Sequence, residues 1–252
     1  MCTRSPSMTS NISSVADARH GVPTPTRCTV DAFTRTLHAL LALSFVGAYV
    51  TAESEIFRWV HVSLGYTLGG LLLARVVWGV LGPRHARLSA LWGKLRGLGN
   101  WFQGLRAGQA SWSQAQNLYM AVSVALLLLA IAPLVVSGYV TYQEWTGDWM
   151  EEVHEFFGNF MLMAVLAHIG GVLALSLLRR RNLATPMLTG RVPGVGPDLV
   201  KRNHAVLAAV LLTAVLSFWV WQWQSGPPLQ TSGGPDGSHS VSGKAQSEED
   251  DD

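Results

Sequence analysis

Apolar residues fall into five long blocks along the chain: about Phe33 to Val50, Trp59 to Gly82, Leu118 to Tyr142, Val153 to Leu178 and His204 to Trp223. Each approaches or exceeds the roughly 20 residues a helix needs to cross a hydrocarbon layer about 30 Å thick. The first block is the weakest because it carries Arg35 and His38. The pattern predicts an all-α membrane protein, with a four-helix transmembrane bundle over residues 31–192 and an additional transmembrane helix over residues 200–224. Residues 1–30 hold no apolar run of signal-peptide length behind a basic start, so they read as a polar N-terminal extension rather than a cleaved leader. Residues 225–252 are Gly, Ser, Pro and acid, ending Ser-Glu-Glu-Asp-Asp-Asp. Neither terminal segment can bury enough apolar surface to offset the entropy of ordering, and both are expected to be disordered.

Composition agrees with a membrane class. Only 13% of the 252 residues are charged and 49% are hydrophobic, whereas a soluble domain carries about 25% charged residues. With 18 Lys and Arg against 16 Asp and Glu, the net charge of +2 gives no electrostatic footprint for nucleic acid. Two cysteines, Cys2 and Cys28, support no disulfide framework, and the absence of a C-x-x-C-H run excludes covalent c-type haem attachment.

Basic residues in short loops mark the cytoplasmic side. They gather in the N-terminal segment (Arg4, Arg19, Arg27, Arg35), between blocks two and three (Arg84, Arg87, Lys94, Arg96, Arg106) and between blocks four and five (Arg179, Arg180, Arg181, Arg191, Lys201, Arg202). The opposite side holds only Arg58 and Lys244, and most of the acids. This predicts a multi-pass membrane protein with a cytoplasmic N-terminus and a C-terminus on the opposite, outer side. Trp59, Trp145, Trp149 and Trp223 on one side and Trp78 and Trp92 on the other suit interfacial anchors.

Ionisable residues inside membrane spans are costly and point to function. Besides His204, which opens block five, four of the eight histidines lie in the blocks: His38, His61, His154 and His168. His154 and His168 are 14 residues apart, a rise of about 21 Å with a rotation about 40° short of whole turns, so they share one helix face at two depths. His61 opens block two at the outer level of His154, and His38 lies at the inner level of His168. Two imidazoles from different helices, facing each other across a bundle, are what axial ligation of a haem iron requires. Two such pairs imply two haems, one above the other.

Other residues fit this arrangement, with simpler readings beside them. Gly65 and Gly158 follow His61 and His154 by four residues, and each leaves room for a porphyrin one turn from the ligand; alternatively, Gly65 and Gly69 form a small-xxx-small packing pair. Arg75 lies on the face of His61 at the inner depth, where a haem propionate would supply the anion it needs. Arg35 could do the same or snorkel to the interface. His85 reads either as a solvated loop histidine or as a proton group for a quinone, and His204 as an interfacial residue with no companion at its depth. Zinc is disfavoured because His154 and His168 cannot converge on one ion. No catalytic nucleophile or phosphate-binding glycine loop is present, so no catalytic residue is expected.

The strings Arg35-Thr-Leu-His38, His61-Val-Ser-Leu-Gly65-Tyr66, Arg75-Val-Val-Trp78-Gly79 and Glu152-Val-His154-Glu155, followed by His168, resemble the bacterial cytochrome b561 and nickel-iron hydrogenase b-type cytochrome group over about residues 33–192. The resemblance implies a diheme four-helix bundle of the bacterial inner membrane, which makes the outer side and the C-terminus periplasmic, and in which His38 pairs with His168 and His61 with His154. It also implies electron transfer between membrane quinone and a redox partner, a periplasmic c-type cytochrome or a membrane-bound redox enzyme. The fifth span and acidic tail depart from the four-helix pattern. Two rival functions remain: a superoxide or small-oxidant:quinone oxidoreductase of the same shape, and a haem-free membrane assembly or transport subunit. An acidic rim of Glu53, Glu55, Glu144, Asp148, Glu151 and Glu152 could steer a basic electron carrier.

Overall fold

The computed structural model describes residues 25–83, 86–109, 111–200 and 202–225. The acidic tail, most of the N-terminal extension, and Arg84 and His85 lie outside the described residues. Five helices are long and apolar enough to cross a membrane: α1 (Ala32–Thr51), α2 (Arg58–Leu81), α4 (Trp112–Tyr142), α5 (Trp149–Arg179) and α7 (Ala205–Ser225). Their mean hydropathies are 1.3, 1.6, 2.6, 2.2 and 2.0, and α1 is lowest because of Arg35 and His38. At 31 residues each, α4 and α5 are about 46 Å long, enough to emerge from the hydrocarbon layer.

Two further helices stand where the hydrophobic pattern showed only loop: α3 (Leu88–Arg106) and the short α6 (Thr185–Thr189). Regular structure also begins earlier than expected. Strand β1 (Thr26–Cys28) pairs antiparallel with β2 (Arg191–Pro193), tying the approach to α1 against the segment after α6. Cys28, at the end of β1, is buried.

The helices pack as two pairs, α4 on α5 and α1 on α2, with α2 also meeting α4. Among the described residues, α5 makes no comparable backbone approach to α1 or α2. The interval between α5 and the α1–α2 pair is wider than helices in direct packing leave. It is closed at mid-height by one buried cluster: Phe45 of α1, Leu68 of α2, Ala130, Ile131 and Leu134 of α4, and Met161 of α5. The fifth span, α7, lies along α1 and the edge of α2 through Leu37, Leu40, Leu71, Ala208 and Val215. Trp219 of α7 donates its indole N–H to Thr67 Oγ1 at 2.9 Å.

The entry to α1 fixes the end of the molecule where most arginines gather. Asp31 caps the helix, its Oδ1 accepting from Thr34 N at 2.7 Å, which satisfies one of the amides a helix start leaves unpaired. The same carboxylate is fully buried and lies 3.7 Å from His204 Nδ1. His204 also meets the Trp78 ring edge-on at 5.0 Å. His204 is thus held between Asp31 and Trp78, contacts that its place in the sequence did not indicate. Asn203 adds its side-chain oxygen as acceptor for Ala32 N at 3.0 Å, so the start of α7 is fastened to the start of α1.

Candidate functional site

Helix α5 carries two of the four span histidines and frames both pairs. At the acidic end the His154 ring meets the His61 ring of α2, with centroids 6.0 Å apart and planes at 87°. At the arginine-rich end His168 lies close enough to His38 of α1 for their charges to interact. Between the two levels, Met161 sits seven residues from each α5 histidine, Phe45 seven from His38 and Leu68 seven from His61. These three side chains are 5%, 6% and 3% exposed. A dry layer thus separates two histidine levels.

The hydrogen bonds decide which imidazole nitrogen is available. His61 Nδ1–H donates to the Ala48 carbonyl at 2.8 Å, and His154 Nδ1–H donates to the Leu134 carbonyl at 3.1 Å. A carbonyl only accepts, so in each neutral ring Nδ1 holds the proton and Nε2 keeps its lone pair. At the other level Ser123 Oγ stands 3.2 Å from His168 Nδ1 and 3.1 Å from Met120 O, so a hydroxyl partners the Nδ1 side of that ring. Ser137 stands 3.2 Å from His154 Nδ1 in the same way. Ser123 and Ser137 are 14 residues apart on α4, as are His154 and His168 on the antiparallel α5. One register therefore sets a serine behind each α5 histidine. This second layer escaped the sequence reading, although the equal spacing was its signal.

Four glycines shape the surroundings. A Cβ at Gly65 or Gly158 would meet nothing within 4 Å, so open space lies one turn from His61 and from His154. Gly138 on α4 is different: a Cβ there would come within 2.7 Å of His154 Cε1, and the ring occupies the place of a side chain. Gly171 is covered by the ring of Tyr119, whose hydroxyl donates to Ala167 O at 2.5 Å, one residue before His168. Gly138 and Tyr119 were not singled out from the sequence, because what a glycine accommodates depends on which ring the fold lays against it.

The two arginines are tied to the inner connections. Arg75 Nη1 donates to the Ala86 carbonyl at 3.2 Å and has Asp31 as an electrostatic neighbour, which meets part of its need for an anion. Arg35 Nη1 donates to Leu188 O at 3.1 Å.

Among the described residues, no three His, Cys, Asp or Glu side chains form a group able to hold a metal ion. Each level offers two imidazoles, which suits an ion whose other ligands come from a non-protein group. A metal–imidazole bond of about 2 Å on each side puts two ring centres about 6 Å apart, and the His61–His154 rings stand at 6.0 Å. With open space at Gly65 and Gly158, the acidic-end level fits a planar macrocycle bound through its central iron.

The family model described as "Prokaryotic cytochrome b561" matches residues 29–190, from just after β1 to just past the end of α6, and leaves α7 outside. Neither the search of curated proteins nor that of solved structures finds a match.

Proposed function

The chain belongs to the prokaryotic cytochrome b561 family of membrane b-type cytochromes, and from that membership we propose that it carries electrons across the bacterial inner membrane through two non-covalent haem b groups. His61 and His154 hold one haem, and His38 and His168 hold the other. Electrons pass between the membrane quinone pool and a redox partner at the acidic end. A haem held by two imidazoles supplies a one-electron carrier with no open position for oxygen or substrate.

The chain's own residues prepare each site. Backbone carbonyls of Ala48 and Leu134 hold protons on Nδ1 of His61 and His154, and Ser123 partners Nδ1 of His168, which would leave Nε2 of each ring to hold the iron. Gly65 and Gly158 leave the porphyrin room. Arg75 and Arg35, at the arginine-rich end, neutralise propionates. Phe45, Leu68 and Met161 keep water from the layer between the two levels. The arginine-rich end faces the cytoplasm by the positive-inside rule. At the other face, Glu53, Glu55, Glu144, Asp148, Glu151 and Glu152 are exposed and steer a basic c-type cytochrome toward the outer haem.

The observation that carries this reading is the His61–His154 pair at 6.0 Å, with both Nδ1 atoms hydrogen-bonded and neither Nε2 hydrogen-bonded among the described residues. The test is reduction of the purified chain in proteoliposomes by a quinol, followed by oxidation with a c-type cytochrome. The expected result is haem reduction by quinol and a reoxidation rate that falls as salt rises. Haems that quinol cannot reduce would overturn the quinone link, and a rate independent of salt would overturn the acidic docking face.

A further inference from the structure

Helix α3 has a composition that cannot sustain it alone. Four of its 19 residues are glycine: Gly93, Gly97, Gly99 and Gly104. Each glycine in a helix interior weakens it roughly fivefold relative to alanine. None of its residues is buried, so the packing that stabilises most helices in proteins is weak here. Leu91, Leu95 and Leu98 are only half-covered. Trp92, Phe102 and Leu105 remain 60%, 54% and 51% exposed.

The missing support has a definite chemistry. The apolar residues recur at Leu88, Leu91, Trp92, Leu95, Phe102 and Leu105, the three- and four-residue spacing of a single helix face. No acid lies anywhere between Pro83 and Ala110, whereas Arg87 caps the helix and Lys94, Arg96 and Arg106 lie along it, all four exposed. The Arg96 guanidinium is 5.9 Å from the centre of the Trp92 ring, so a cation and an aromatic anchor sit together. The helix joins α2 to α4 at the arginine-rich end, where both spans leave the hydrocarbon layer.

We infer that α3 is an interfacial helix that binds anionic phospholipid: its apolar face enters the boundary between headgroups and acyl chains, and Arg87, Lys94, Arg96 and Arg106 engage lipid phosphates. An aromatic and leucine face flanked by cations is the pattern of such helices. Anionic headgroups strengthen their hold through each nearby cation. This inference does not depend on haem.

Hydrogen–deuterium exchange of the full chain tests it, in nanodiscs of phosphatidylcholine alone and of phosphatidylcholine mixed with phosphatidylglycerol. Amide protection over residues 88–106 is expected to rise by about tenfold or more with the anionic lipid at low salt, while α4 and α5 stay unchanged. The variant Lys94→Gln/Arg96→Gln/Arg106→Gln is expected to lose the difference between the two lipids. Trp92→Ala is expected to lower protection in both lipids. Equal protection of the wild type in the two nanodiscs would overturn the inference. Persistence of the lipid difference in the triple variant would overturn it too. Protection that appears only when a soluble acidic protein is added would assign the surface to a protein partner instead.

Discussion

At the acidic end both imidazoles are anchored by backbone carbonyls, His61 to Ala48 and His154 to Leu134, and a glycine with open space beside it stands one turn from each. At the arginine-rich end His168 leans on the side chain of Ser123, His38 is exposed and has no hydrogen-bond partner among the described residues, and the residues one turn away are Thr34, Ala42, Ala164 and Val172. A backbone carbonyl cannot be removed by substitution, so the first level is held by the fold itself. The second rests on one hydroxyl and leaves His38 to be oriented by what it binds. The same helix α5 serves both levels, and the difference comes from its neighbours.

Replacing ligands breaks the comparison most severely. His61→Ala or His154→Ala should remove one haem, and His38→Ala or His168→Ala the other, as read by haem extraction and difference spectra. Loss in crossed pairs would refute the assignment.

Next in size, Gly138→Ala forces the His154 ring from its place. It should reduce haem only at the acidic-end level, with the spectrum of the other level intact. Gly171→Ala, which displaces Tyr119, should do the reverse.

Met161→Ala opens a cavity in the layer shared by both levels. It should lower unfolding stability by about 2–5 kcal/mol, measured by denaturant titration in detergent, and weaken both haems together.

The smallest effects separate the two modes of anchoring. Ser123→Ala removes His168's hydroxyl partner and should weaken haem at that level by about 10- to 100-fold, the usual cost of losing an outer-shell partner. Ser137→Ala leaves His154 bonded to Leu134 O and should cost well under this. Equal losses would show that the carbonyl anchor is not what holds His154.

The spans were legible because hydrophobic blocks of membrane length have few other uses, and the histidine levels because helix pitch converts a spacing of 14 residues into depth and direction. Helix α3 was not legible as a helix, since four glycines depress local propensity and its face is too polar for a span. The fastening of His204 to Asp31 joins residues from opposite ends of the chain, and only packing of α7 on α1 brings them together. The serines behind His154 and His168 fall between these cases: their spacing is printed in the sequence, but its meaning needs the antiparallel register of α4 on α5.

The most direct test of the account is haem quantitation of the purified chain, together with its reduced-minus-oxidised spectrum. The account predicts two non-covalent haems per chain, both low-spin and both reducible by dithionite. A colourless protein, or one saturating at a single haem, would contradict it.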